Sequence, residues 1–359
     1  MNLYYDLLEG ISNLSLIYRA ALALLTSMLM IILLGKPFIY LIKKFNYFLQ
    51  PIRHDGPSEH LKKQGTPTLG GILIMFSFVV SSLVWVDSLN SVVKVVLLTS
   101  LGFAAMGLLD DGMKLFFKNS KGFPWEIRFL VGLAISCYAT YLLMQEYPVD
   151  ISSSIYFPFI KGFYFYVGPV MIMLFGSLVI LGSANSVNLT DGLDGLASLV
   201  VFTILVAFFV VLIIILNPGL YITFHYGSLF YYTKIKELMI VIAALAGGLL
   251  GFLWYNGAPA KIFMGDVGAL GIGAALGALA VALKQELFLA VAGIFLICET
   301  LSVILQISYY KMTKKRIFLM APLHHHFEKK GIPETLVVKR IWVFTVFTSL
   351  LALLLLDTF

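Results

Sequence analysis

The stretch Asn188-Leu189-Thr190-Asp191-Gly192-Leu193-Asp194-Gly195 packs an amide, a hydroxyl and two carboxylates into eight residues. Apolar runs long enough to cross a bilayer flank it, and lipid makes such groups costly unless they serve a purpose. If the run before it ends as a helix, Asn185 and Asn188 share one face at i, i+3. Their amides could there hold a uracil-like edge or a phosphate. The plainer reading makes Asp191 an N-cap and Asp194 an N3 acid of the next helix. That explains one carboxylate well and the two asparagines poorly.

Four more polar islands resemble it. Asp110 and Asp111 are expected to end an apolar run, with Lys114, Lys118 and Lys121 following. Adjacent carboxylates can share a divalent cation or a proton, and lysines one turn on can neutralise phosphates. A solvated helix end is the plainer alternative, although acids at a helix C-terminus oppose its dipole. Asp266 lies in Phe263-Met264-Gly265-Asp266-Val267-Gly268. It could cap a helix, but glycines on both sides suggest a backbone that comes close to something, and the carboxylate could ligate Mg2+. Thr66-Pro67-Thr68-Leu69-Gly70-Gly71 puts proline at a helix start, where free N–H groups beside Lys62 and Lys63 could take an anion. His324-His325-His326 cannot all reach one metal from regular structure and have no cysteine to help, so phosphate or sugar contacts suit them better than zinc. Glu299 lies in an apolar run and needs a partner there, and Gln306 lies close enough to that run's end to reach the islands.

The elements that must carry these groups follow from composition. Of 359 residues, 60% are hydrophobic and 12% charged, with mean hydropathy +0.94. Such a chain is no soluble domain, and its apolar runs do not alternate as barrel strands would, so the expected class is an all-α polytopic membrane protein. At about 20 residues per crossing, spans are expected near 20–42, 69–86, 92–109, 127–145, 168–185, 195–216, 237–256, 267–283, 287–307 and 337–356. About 18 lysines and arginines fall beside one set of loops and about 6 beside the other, which makes the first set cytoplasmic and leaves both termini outside. Every polar island then lies on the cytoplasmic face. Cys137 and Cys298 sit in apolar runs and suggest no disulfide, no removable signal peptide is evident, and Leu3, Leu7, Leu8, Ile11 and Leu14 suit a short surface helix. With no repeat or dividing linker, residues 1–359 read as one domain. Three or four carboxylates, several lysines and histidines on one membrane face fit phosphoryl transfer between a water-borne and a lipid-borne substrate.

The chain resembles the polyprenyl-phosphate N-acetylhexosamine-1-phosphate transferases. The resemblance rests on Gly65 to Gly71, Asp110-Asp111, Ala184 to Ala197, Gly251 to Asn256, Phe263 to Gly268, and Ala321-Pro322-Leu323-His324-His325-His326-Phe327-Glu328. The histidine run points to the branch acting on muramoyl-pentapeptide. The resemblance implies transfer of phospho-MurNAc-pentapeptide from UDP-MurNAc-pentapeptide to undecaprenyl phosphate with Mg2+, in peptidoglycan synthesis at the bacterial inner membrane. It implies a homodimer and no nucleic-acid partner. It makes Asp266 the Mg2+ ligand, with Asn188 a second candidate, and gives catalytic roles to Asp110, Asp111, Asp266 and His324. Lys63, Thr68, Lys114, Lys118, Asn185, Asn188, Asp191, Gly192, Leu193, Asp194, Asn256, Phe263, Gln306, His325 and His326 would contact substrate. Two positions depart from the usual pattern: Gly112 stands where an aromatic residue is common, and Ala269 where serine is. The rival readings are a GlcNAc-1-phosphate transferase on the same lipid and, in another class, a secondary transporter of nucleotide-activated sugars, which would hold its ionisable groups nearer the midplane.

Overall fold

A backbone in lipid can hydrogen-bond only to itself, so the apolar runs become helices. The computed structural model describes residues 15–45, 65–116, 122–157, 159–160, 163–216 and 233–356. Its elements in order are α1 (Leu16–Phe45), α2 (Gly71–Trp85), α3 (Ser91–Phe116), α4 (Trp125–Gln145), α5 (Val149–Ser152), β1 (Ser154–Tyr156), β2 (Tyr164–Tyr166), α6 (Pro169–Thr190), α7 (Leu196–Leu216), α8 (Leu238–Asn256), α9 (Gly265–Ala282), α10 (Glu286–Ala292), α11 (Ile294–Thr313), α12 (Leu323–Lys329) and α13 (Glu334–Leu354). Among the described residues, nine helices are long and apolar enough to cross a membrane, and the shorter α2 is a tenth apolar helix. The proposed surface helix before residue 15, Lys63 and Lys118 lie outside the described residues.

The bundle is built around α9. Its span is 89% buried against 28% for α1, which places α9 at the centre and α1 at the rim. The sequence allows this because α9 is mostly glycine and alanine, so neighbouring backbones come close. A Cβ at Gly273 would lie 2.7 Å from the Cα of Ala184 on α6, and one at Gly277 2.7 Å from that of Ile180. On the other side of α9, Gly107 of α3 faces the backbone at Asp266 and Val267. Close van der Waals contact between small residues drives association where lipid is as apolar as leucine. The rim helix α1 is seated the same way on α8: a Cβ at Gly251 would lie 2.6 Å from the Met28 carbonyl oxygen, and the Tyr255 hydroxyl donates to the Ile32 carbonyl at 2.7 Å. Outward-facing side chains such as Val170, Leu174 and Leu178, one turn apart on α6, are apolar and exposed, as a lipid-facing stripe requires.

One end of the bundle collects the C-termini of α3, α6, α8 and α11 and the N-termini of α2, α4, α7, α9 and α13. Every polar island within the described residues lies there. At the far end, Arg19 donates two 3.0 Å hydrogen bonds to the Glu237 carboxylate, and both residues are buried. Arg19 also donates to the Trp85 carbonyl, and Glu237 accepts the Asp87 N–H, so this pair ties α1, the end of α2 and the start of α8. A two-stranded antiparallel hairpin, with Tyr156 opposite Tyr164, also lies at that end. Strands of three residues give too short a pattern to be seen in sequence.

Several expected boundaries differ. The span expected at 287–307 is broken at Gly293 into α10 and α11. The helix α3 runs on to Phe116, so Asp110 and Asp111 sit inside it and Lys114 occupies its last turn. The helix α6 runs to Thr190 with Asp191 as its C-cap, and α7 starts only at Leu196. The N-cap and N3 reading of Asp191 and Asp194 is therefore overturned, while Asn185 and Asn188 do fall on one helix. Cys137 and Cys298 are free thiols.

Candidate active site

The ends of α3 and α9 bring three carboxylates together. Asp110, Asp111 and Asp266 each offer an oxygen within 4.8 Å of the others. Asp110 and Asp111 follow Gly107 by one helical turn, so the glycine that lets α3 touch α9 also sets how far these groups stand from Asp266. Gly265, with φ +74°, opens α9, and a Cβ there would meet Asp111 Oδ2 at 2.7 Å and Thr68 Oγ1 at 3.0 Å. Glycine is therefore needed twice over: for the left-handed backbone and for the close approach. What comes close on the other side is the start of α2. Gly70 N–H donates to the Phe263 carbonyl, Gly71 N–H to that of Met264, and Phe263 N–H to that of Pro67. Two of the N–H groups expected to be free at this helix start, those of Gly70 and Gly71, are therefore taken. The segment docks onto the Asp266 loop and holds it, with Thr68 buried at the contact.

Two cations meet the carboxylates. Lys114 Nζ lies 2.6 Å from both Asp110 Oδ2 and Asp266 Oδ2 and 3.8 Å from Asp111 Oδ1. Arg128 Nη1 lies 3.5 Å from Asp110 Oδ2 and 3.7 Å from Asp266 Oδ2. The sequence reading missed Arg128 as a site residue. A signal was present, since an arginine in the first turn of α4 opposes the positive helix end and calls for an external anion. Asp110 Oδ1 accepts the Phe123 N–H at 2.6 Å, and Asp111 Oδ2 the Val267 N–H at 3.3 Å. The Phe123 contact needs Gly122 (φ +55°), where a Cβ would fall 2.5 Å from Asp110 Oδ1. Three hard carboxylate donors beside two movable cations suit a divalent ion such as Mg2+, which binds through a few carboxylates and substrate phosphates.

The 191–195 turn faces this cluster. Burial first, then the fields of Asp266, Asp111 and Asp194, push the Asp191 carboxyl up to about 7. Asp194 instead serves as a latch: its Oδ2 accepts the Ala260 N–H at 2.9 Å, and its own N–H donates to Glu334 at 2.8 Å. Asn256 accepts the Gly195 N–H and donates to the Ile262 carbonyl, so its amide ties the 191–195 turn to the loop between α8 and α9. Leu193 is buried, whereas Asn188, Gly192 and Phe263 keep partial exposure. Asn185 donates to the Leu181 carbonyl within its own helix.

The histidine run forms α12, and each ring meets a different partner although those of His324 and His325 lie 4.1 Å apart. His324 is fully buried, its Nδ1 3.2 Å from Glu299 Oε2. His325 Nδ1 pairs with Glu328 Oε2 at 2.6 Å, and His326 Nδ1 accepts the Leu319 N–H at 3.1 Å. Gln306 accepts the N–H groups of Ile317 and Phe318 and donates to the Phe318 carbonyl. Its amide pins the 314–322 loop. Only His324 is brought against the central turn, with its ring edge toward Gly192, where a Cβ would lie 3.0 Å from its Cε1. The unknown partner of Glu299 is thus the start of α12.

The bundle, with nine helices among the described residues long and apolar enough to cross a membrane, carries clustered carboxylates and cations at one end, and its class is given by residues 93–284, which match the family described as Glycosyl transferase family 4. A curated relative from Vesicomyosocius okutanii subsp. Calyptogena okutanii (strain HA), named phospho-N-acetylmuramoyl-pentapeptide-transferase, is 42% identical over 336 residues, covering 93% of this chain and 92% of that protein. The chain belongs to the phospho-N-acetylmuramoyl-pentapeptide-transferases within that larger family.

Proposed function

We propose that the protein transfers phospho-MurNAc-pentapeptide from UDP-MurNAc-pentapeptide to undecaprenyl phosphate, releasing UMP, in peptidoglycan synthesis. The observation that carries this is the meeting of Asp110, Asp111 and Asp266 with Lys114 and Arg128 at one end of the bundle. In the reaction an oxygen of the lipid phosphate attacks the sugar-side phosphorus of the diphosphate. A new P–O bond forms, the bond to UMP breaks, and its electron pair leaves with UMP. Such a transfer needs positioning and charge neutralisation more than covalent chemistry.

The residues divide that work. Asp266 and Asp111, fixed by the Gly265 turn and the Val267 N–H, would hold Mg2+, which supplies charge neutralisation on the diphosphate. Asn188 is a further candidate ligand. Asp110, held by the Phe123 N–H and faced by two cations, orients the incoming lipid phosphate. Lys114 and Arg128 can turn from carboxylate to phosphate oxygens without leaving the cluster. Asn188, Gly192 and Phe263 line the nucleotide side, with His324 behind Gly192. The positive-inside rule assigns this end to the cytoplasm of a bacterium, where UDP-sugars are made. Resemblance to the family suggests a homodimer.

The test is UMP release by purified protein given both substrates and Mg2+, beside Asp266→Ala and a chelator. Release that needs the lipid, the metal and Asp266 supports the reading. Release with UDP-GlcNAc instead would move the protein to the GlcNAc-1-phosphate branch, and no release from folded protein would defeat the proposal.

A further inference from the structure

We infer that Glu299 is a positioning residue for the transfer, acting through His324. The inference rests on the reading of the Gly192 turn as the nucleotide-diphosphate side. Glu299 lies on α11, 25 residues from His324 in sequence, and is fully buried. Its carboxylate accepts the Leu323 N–H at 2.8 Å through Oε2 and the His324 N–H at 3.1 Å through Oε1. The same Oε2 stands 3.2 Å from His324 Nδ1. A buried carboxylate with this surrounding has its charge met by two backbone dipoles and one imidazole. Removing it would leave all three without their anion.

The geometry gives the arrangement a direction. His324 is itself completely buried, and neither ring nitrogen completes a well-aligned hydrogen bond among the described residues. Nδ1 is turned to Glu299, and the opposite edge of the ring faces Gly192. An ionised carboxylate can only accept, so Glu299 beside Nδ1 favours the tautomer that carries its proton there, which leaves Nε2 as the acceptor toward the Gly192 side. A carboxylate behind a histidine fixes its tautomer and ring orientation in metal and hydrolase sites alike. Here the two backbone bonds add a second control. They fix the start of α12 itself, and so the height of the ring over the turn. Its neighbours do not compete for this role: His325 is paired with Glu328, and His326 with the Leu319 N–H.

The test is a double-mutant cycle in the full-length protein. Glu299→Gln, His324→Ala and the double variant are assayed for kcat and for KM toward UDP-MurNAc-pentapeptide, with saturating lipid and Mg2+. Loss of an outer carboxylate from a functional histidine costs roughly 10- to 100-fold, so Glu299→Gln is expected to lower kcat by that factor with little change in KM. The double variant should fall no further than His324→Ala alone, because the carboxylate has nothing left to position. If Glu299→Gln does not fold, the cycle is run with Glu299→Asp, which keeps the charge and should lose less activity than His324→Ala. Full activity in the Glu299 variant, or losses that multiply in the double variant, would overturn the inference. Failure of the wild-type protein to release UMP would instead defeat the underlying function, so the two failures are separable.

Discussion

Adding one methyl group at Gly107 should separate the carboxylates of Asp110 and Asp111 from that of Asp266. A Cβ there would lie 2.5 Å from the Asp266 carbonyl carbon and 2.6 Å from the Val267 nitrogen, where ordinary contact begins at 3.4 Å. These neighbours, with the Asp266 carbonyl oxygen closer still, are backbone atoms at the start of α9 and cannot rotate away, so α3 and α9 must part locally by at least about 0.9 Å. Alanine favours the helix by about 1 kcal/mol and overpacking costs roughly 1–3 kcal/mol, so the net loss of stability should not exceed about 2 kcal/mol. The rate should suffer far more. Asp110 and Asp111 ride on the displaced turn, and a misplacement near 1 Å costs on the order of 100-fold. Gly102→Ala is the control, because the same exchange in the same helix meets only Ile135 at 3.4–3.9 Å. The assay is UMP release at saturating substrates, with the thermal midpoint of each variant beside it. A Gly107→Ala protein with wild-type turnover, or a Gly102→Ala protein equally impaired, would refute the reasoning.

Three other outcomes are expected. Arg19→Met strands the buried Glu237 carboxylate and should cost about 3–5 kcal/mol; the double change Arg19→Met with Glu237→Leu should recover most of it, and thermal unfolding in detergent reads both. Arg128→Gln should lower kcat at least tenfold with a nearly unchanged melting midpoint, and unchanged kcat would remove Arg128 from the site. Without divalent cations, the raised Asp191 carboxyl favours the folded state when protonated. Its contribution is present in full near pH 4 and is lost as pH rises through about 7, so melting curves of wild type and Asp191→Asn should diverge across that window, and parallel curves would count against it.

The sequence exposed what depends on local pattern. Long apolar runs declared the helices, and the polar islands marked the end at which they meet. What it hid depends on partners far along the chain. That Asn256 takes the N–H of Gly195, 61 residues away, cannot be read from its own neighbourhood. Gly70 and Gly71 look like an anion site until the carbonyls of Phe263 and Met264 occupy their N–H groups. Arg128 was counted only as a loop charge, because nothing nearby in sequence reveals that Asp110 and Asp266 lie opposite it. The break at Gly293 was also invisible: the run from 287 to 307 is continuous in hydropathy, and only the packing of α10 separately from α11 shows the chain turning.

The seat of α1 on α8 sets a waiting time. Tyr255 donates to the Ile32 carbonyl across 223 residues of chain, and at about 5–20 residues per second of synthesis the first helix precedes its partner by roughly 10–45 s. For that interval α1 has only the face it shares with α2, where Ser81 donates to the Ala23 carbonyl and Trp85 to Thr26, and lacks its seat on α8. A span of 29 residues with mean hydropathy 2.1 can stand in lipid meanwhile. The carboxylate that meets Arg19 in the fold, Glu237, is made only at the end of that interval. Arrival of α8 therefore delivers the glycine seam and the counter-charge together, so α1 completes its seat in a single late step.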